Sequence, residues 1–410
     1  MTPTDRPAIR DFLHKHCAQQ EFFLTELVKA PSDNPPGDCG PHASRTAALL
    51  EELGLIVERH AVPAELVRAN GLVSITNLVV RRRFGDGPTI ALNAHGDVVP
   101  PGEGWTTDPY GAEIRDGWMY GRGAAVSKSD FSTFAYALLA LEHAGANPRG
   151  SVELHFTYDE ESGGALGPAW LLAQGISKPD FAICAGFSYA VVEAHNGCLH
   201  LEVEVTGRSA HAANPAAGID ALAAATQILT ALYAWRTGLA ARVSATPGIG
   251  APQLTIGLIA GGINTNVVPD RVVFRLDRRI VPEEMPCDVE RELRGVIEAA
   301  AAASPAATVT IRRIMLAAPL TPLPGARALT DLLCAHATRV MGEPVAAGGV
   351  PLYTDARHYA AAGVPVVLYG AGPHSIEEAN AHRADERLPL ADLYRATEVV
   401  ALTLADFLAA

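Results

Sequence analysis

Three short apolar runs constrain the fold most: TIALNAH (89–95), SVELHFTYDE (151–160) and PDFAICAG (179–186). A helical stretch separates the first two, and motif residues cluster at the carboxyl end of each run. Runs this short, with no polar alternation, read as strands buried on both faces. Such strands alternating with helices build an open α/β sheet, which carries its chemistry at the carboxyl ends of its strands. Those ends hold His95 and Asp97 in ALNAHGDVVP, and Glu160 and Glu161 in TYDEESGG. A carboxylate two residues beyond a histidine can fix the ring from behind while the ring binds a metal. Adjacent glutamates can supply one metal ligand and one general base. Together they point to metal-assisted hydrolysis.

The rest of the chain divides by pattern. Residues 41–53 read as an amphipathic helix, and the Gly-rich stretch 104–124 as loop. Residues 129–145 read as a helix with Ser129 at its N-cap and Gly145 as its stop. RRRFGDG (81–87) reads as an exposed hairpin turn. Near residue 195 the strands begin to alternate apolar with polar: CLHLEVEVTG (198–207), a helix (219–235), QLTIGLIA (253–260), RVVFRLDRRI (271–280), a helix (288–303) and ATVTIRR (307–313). That order, βαββαβ, is the ferredoxin-like α+β arrangement. A helix (326–340), the strand VPVVLYG (364–370) and a last helix (389–409) resume the first pattern. The expected architecture is a catalytic α/β domain (1–194 and 315–410) interrupted by an inserted ferredoxin-like lid or dimerisation domain (195–314).

Composition narrows the function. With 410 residues, two or three domains and an ample core are expected. A net charge of −13 argues against nucleic acid and anionic membranes as partners. No run approaches a membrane span, and the N-terminus lacks the apolar core of a signal peptide, so a cytoplasmic protein acting on a small molecule is expected. Six scattered cysteines without a CxxC read as reduced structural thiols. Cys184 has no flanking base and reads as packing.

Seven motifs in order then carry a resemblance: HGDVVP, GWTTDPY, YGRGA, DEESGG, GRSAHAANPAAGIDA, NTNVVPD and NAH (380–382). From about residue 45 to the end, the chain resembles the M20 metallopeptidases. That group includes acetylornithine deacetylase, succinyl-diaminopimelate desuccinylase, aminoacylase-1 and carboxypeptidase G2. The resemblance implies the inserted domain as well. It implies His95 as metal ligand, Asp97 as the group orienting it, and Glu160 as general base. Glu161 and His382 would be further metal ligands. In the insert, His211 would polarise the scissile carbonyl, from the partner subunit in dimeric members. Asn266 and Arg279 would bind substrate, with Arg357 a further substrate-facing candidate. It also implies a homodimer through the insert and a zinc, cobalt or manganese cofactor.

Two positions depart from the family. Its pattern GRGA-x-D-x-K-G places an aspartate that bridges two metals where this chain has Val126. A further acidic ligand after the third strand aligns with Gly186. Three arrangements stay open. Asp130, one helical turn after Val126, takes over as ligand; or one ion is held through Glu161, His382 and His95; or no metal is bound. One ion is favoured over two. The leading function is an amidohydrolase acting on an N-acyl, amide or peptide bond of a small carboxylate-bearing substrate. The alternatives are a metal-independent relative acting on an activated or cyclic substrate, and a non-catalytic ligand-binding homologue. Of the other histidines, His155 and His358 read as structural, His195 and His200 as hinge or surface groups, and His374 as a loop group near His382, with substrate contact or a substitute-ligand role as its alternatives. Arg357 reads equally as substrate-facing or as salt-bridged to Asp355 or another neighbour.

Overall fold

The computed structural model describes residues 6–144 and 148–409. The chain forms two compact units. One comprises Met1–Glu193, Pro322–Gly348 and Thr354–Ala410, the other Ala194–Thr321 and Gly349–Tyr353.

The first unit is built on an eight-stranded sheet. Its strand order is Val57–Ala61, Thr76–Arg83, Ser151–Thr157, Thr89–His95, Phe181–Cys184, Val366–Leu368, Val191–His195 and Ala347–Val350. Thr89–His95 lies between parallel neighbours on both sides, with His95 opposite Thr157 and Asn93 opposite Cys184. All its residues after Thr89 are buried, which is why the run reads apolar throughout. RRRFGDG does not close a hairpin. The strands on either side of it, Thr76–Arg83 and Thr89–His95, are separated by Ser151–Thr157, which pairs with both.

The helix Lys128–His143 is buried from Lys128 to Leu141. A helix apolar around its circumference must be covered on all sides. Helices Pro7–Lys29 and Leu390–Phe407 cover it on one side and Thr89–His95 on another. Phe131 stacks on Phe156 with ring centroids 4.0 Å apart. Burying a phenylalanine of this kind contributes roughly 1.5–3 kcal/mol. Ser129 is not the cap. Position 127 precedes the first helical residue, and the Ser127 hydroxyl donates to the His95 carbonyl at 3.1 Å instead of capping. The expected stop at Gly145 lies outside the described residues.

The second unit runs Gly197–Thr206, Ala221–Arg236, Leu254–Gly261, Arg271–Ile280, Pro286–Ala301 and Thr308–Ala317, in βαββαβ order. Its four strands are antiparallel, in the order second, third, first, fourth: Leu254–Gly261 pairs with Arg271–Ile280, which pairs with Gly197–Thr206, which pairs with Thr308–Ala317. Alternation sends Leu199, Leu201, Val203 and Val205 into a core shared with Ile228, Leu232, Leu293 and Ile297. The opposite face carries ion pairs, among them Glu202 with Arg275 and Arg312, each at 2.8 Å. His195 is fully buried, its Nδ1 2.8 Å from the Asn196 carbonyl, so it is not a surface group. Among the described residues no helix is long and apolar enough to cross a membrane.

Candidate active site and metal centre

The carboxyl ends of Thr89–His95 and Ser151–Thr157 are adjacent in the sheet, and this brings the two opening motifs together. Glu160 and Glu161 lie on a short 3-10 turn, Glu160–Ser162, just past the second strand. The ligand atoms of His95, Glu160 and Glu161 all lie within 4.8 Å of one another. His382, on a loop with φ 61°, adds its Nε2 3.2 Å from Glu161 Oε1.

Asp97 organises this cluster and is fully buried. Its Oδ1 accepts the backbone N–H of Glu160 at 3.2 Å. Its Oδ2 accepts the N–H of Glu161 at 3.1 Å and the Asn34 side-chain amide at 2.9 Å. The Nδ1 of His95 is 3.0 Å from the Asp97 carbonyl and 3.4 Å from Oδ1. An Nδ1–H donated there leaves Nε2 as the lone-pair nitrogen that binds a metal. Asp97 therefore orients His95 and also holds the turn that carries both glutamates.

On the far side of the turn, the Gly163 carbonyl accepts from the Arg357 guanidinium and, at 3.1 Å, from His358 Nε2. Arg357 also donates to the Thr354 carbonyl at 3.0 Å. The structure thus places Arg357 against the turn that carries Glu160 and Glu161.

The two departures have distinct surroundings. The N–H groups of Ala125 and Val126 both donate to Glu386 Oε1 at 3.1 Å. Glu386 Oε2 pairs with Arg122 at 2.6 Å in a buried bridge. The loop is anchored, but the Val126 side chain has no atom to offer a cation and packs against the core. At Gly186 a Cβ would come within 3.0 Å of the Tyr369 backbone nitrogen, so even a small side chain there would need the chain to move. Asp130 stands outside the His95–Glu160–Glu161 set. Its Oδ1 accepts the N–H of Ala371 at 2.8 Å and its Oδ2 that of Gly186 at 3.2 Å. It also lies so close to Gly370 that a Cβ there would be 2.2 Å from Oδ1.

Burial dominates the electrostatics. It pushes the Glu160 carboxyl up, opposed by His95 and reinforced by Glu161 and Asp97. Burial alone would favour neutral His95, but its Asp97 hydrogen bond and the Glu160, Asp97 and Glu161 charges hold its pKa well above the usual value. Burial raises Asp130 to about 8. His382 is raised mainly by its hydrogen bond to Glu161.

The residues present fit a divalent cation. Carboxylate oxygens converge on an imidazole, a donor set that suits zinc, cobalt or manganese. Two further buried carboxylates beside the turn keep oxygens with no hydrogen-bond partner, Oδ1 of Asp159 and both oxygens of Asp355. Buried polar atoms are ordinarily paired, and a cation is one partner that would satisfy carboxylate oxygens of this kind.

In the second unit, His211 is exposed and accepts the Ala213 N–H on Nδ1 at 3.0 Å. Its loop joins that of Asn266 through the Ala212 N–H to Asn266 carbonyl bond at 2.9 Å. Arg279 pairs with Asp277 at 3.1 Å, and the same oxygen of Asp277 lies 3.2 Å from His200 Nε2. His374 is exposed, 2.9 Å from Glu343 and stacked on Tyr189, and it is not among the ligand atoms gathered around His95. Cys184 is buried, which pushes its thiol well up and leaves it inert.

Sequence reasoning missed Asn34, Glu386, Asp159 and the orphaned state of Asp355. Asn34 is 63 residues from Asp97, and nothing in its own surroundings, SDNPPGD, marks it. Asp355 lies in the TDAR stretch that the resemblance did mark.

Residues 91–406 match the model of peptidase family M20/M25/M40. The chain belongs to this family. It is 29% identical to a succinyl-diaminopimelate desuccinylase of Gluconacetobacter diazotrophicus, over 98% of each chain. It is 29% identical to an acetylornithine deacetylase of Proteus mirabilis, over 87% of each. Among solved structures, an M20 family metallo-carboxypeptidase from Sulfolobus solfataricus has the same fold, with a TM-score of 0.78 at 17% identity over 94% of this chain and 98% of that one. This M20 chain is therefore a hydrolase of amide or peptide bonds, in a family of divalent-metal enzymes. The reading as a non-catalytic binding homologue is set aside.

Proposed function

We propose that this M20 enzyme removes an acyl group from, or cleaves a peptide bond next to, a small carboxylate-bearing amine, with Glu160 as general base. The observation that carries the reading is the Glu160–Glu161 turn, held by Asp97 within reach of His95. Glu160 takes a proton from the attacking water and returns it to the leaving amine. Its burial raises its proton affinity toward the working range of an acid–base group. His95, Glu161 and His382 would hold the cation, one ion rather than two. When bound, the ion supplies Lewis-acid polarisation and lowers the pKa of water. The motif resemblance assigns His211 to the oxyanion and Asn266 and Arg279 to the substrate's polar groups; a guanidinium fork matches a carboxylate. The two relatives are named for removing succinyl and acetyl groups, so N-succinyl and N-acetyl amino acids are the first substrates to try.

The same reading takes the protein as a cytoplasmic homodimer joined through the inserted domain. The edge strand Leu254–Gly261, with Leu258 61% and Ile259 55% exposed, supports that surface. A second reading, metal-independent chemistry on an activated substrate, draws on the 3.2 Å pairing of His382 with Glu161, which already gives that glutamate a cationic partner.

Metal analysis of the purified protein, with a chelator test against N-acyl amino acids, separates them. One equivalent of metal, with turnover lost to chelator and restored by zinc, cobalt or manganese, is expected. Turnover indifferent to chelator overturns the metal reading.

A further inference from the structure

We propose that Asp355 is a ligand of the cation held at the His95–Glu160–Glu161 cluster, supplying a carboxylate that Val126 and Gly186 no longer provide. The inference rests on the metal-hydrolase reading above and concerns a residue outside the ligand set that the motif resemblance implies.

Asp355 lies at the start of the helix Ala356–Ala361 and is 4% exposed. Neither of its carboxylate oxygens has a hydrogen-bond partner. It does not cap its helix, although an aspartate in that position ordinarily would. The His358 Nε2 is 4.0 Å from its Oδ1, but burial lowers that imidazole to about 4, so it is neutral, and it is turned to the Gly163 carbonyl. Burial is the largest influence on Asp355, and the charges it then feels are those of Glu160, Arg357, His95 and Asp97. Its carboxylate therefore belongs to the electrostatic surroundings of the cluster. It is packed against the same turn, since a Cβ on Gly164 would lie 2.0 Å from its Oδ1.

An unpartnered buried carboxylate is expensive unless a cation or a proton compensates it. The contrast with Asp130 is direct. To reach an ion, Asp130 must give up two backbone N–H bonds, to Ala371 and Gly186. Asp355 gives up none. It stands outside the set whose ligand atoms lie within 4.8 Å, so a side-chain rotation has to bring it in, and no hydrogen bond opposes that rotation.

The test is calorimetric titration of Zn²⁺ into the purified full-length protein, comparing wild type, Asp355→Asn and Asp130→Asn, with circular dichroism to confirm the fold. The expected result is saturable binding by wild type, affinity weakened at least about tenfold in Asp355→Asn, and no change in Asp130→Asn. Undiminished affinity in Asp355→Asn overturns the inference and leaves the metal reading standing. Absence of zinc binding by wild type overturns the metal reading and the inference with it. If Asp355→Asn does not fold, an anomalous-scattering structure of zinc-loaded wild type decides. An Asp355 oxygen about 2.0–2.2 Å from the ion is expected, and one that stays outside the coordination sphere contradicts the proposal.

Discussion

Asp130 Oδ2 accepts the backbone N–H of Gly186 at 3.2 Å. The aspartate expected to replace one missing ligand is thus hydrogen-bonded to the residue that occupies the position of the other. Its carboxylate is used for structure, and burial raises its pKa to about 8. Unfolded, an aspartate ionises near 4. Between about pH 4 and pH 8 the folded protein therefore holds a proton here that the unfolded chain does not, and stability falls as pH rises through that window, by about 1.4 kcal/mol per pH unit from this group. Asp130→Asn removes that slope. Denaturant unfolding of both proteins at pH 5, 6, 7 and 8 is expected to show wild type losing stability relative to the variant at each step. Parallel curves would mean that Asp130 is ionised throughout.

Asp97 supports two elements at once, so its loss should register twice. Asp97→Ala frees the N–H groups of Glu160 and Glu161 and the Asn34 amide, and releases His95. Hydrogen bonds to a buried carboxylate contribute about 1.5–3 kcal/mol each, with partial relaxation. A net loss of about 3 kcal/mol in unfolding free energy is expected, with metal affinity down about 10- to 100-fold. A variant that binds metal as wild type does would show that the turn holds its shape without Asp97.

Restoring the missing carboxylate tests the reduced site from the other direction. In Val126→Asp the backbone anchor to Glu386 is unaffected, because Val126 uses its N–H. Metal content measured by mass spectrometry is expected to rise by one equivalent. Unchanged content would show that the slot at 126 no longer faces a second ion.

Arg357, a candidate for substrate binding, donates to the Gly163 and Thr354 carbonyls. Lysine cannot reproduce two divergent donors. Arg357→Lys should therefore lower kcat by about 10- to 100-fold through a displaced turn, with KM little changed. Steady-state kinetics reads the split. A rise in KM at constant kcat would return Arg357 to the substrate.

Much of the fold was legible because burial leaves a period. Arg271–Ile280 was delimited to the residue by its alternation, and Thr89–His95 by its unbroken apolar run. RRRFGDG misled because a Gly-containing turn between strands looks the same whether its strands pair with each other or, as here, with a third strand inserted between them. Ser129 misled because the position before the helix is Ser127, two residues earlier, and that serine gives its hydroxyl to the His95 carbonyl. In the site, His95, Glu160 and Glu161 could be found because they end strands. The work of Asp97 on two backbone N–H groups depends on a contact 63 and 64 residues away. The orphaned oxygens of Asp355 are visible only once the packing around them is known.

Glu160 carries the central claim. Glu160→Gln keeps the side chain's size, and Asp97 still receives the backbone N–H of residue 160. Turnover of an N-acyl amino acid by this variant, measured beside wild type at equal metal loading, should fall by about 10²- to 10⁴-fold while zinc binding persists. Turnover within a few-fold of wild type would contradict the account, because the proton would then be moved by another group.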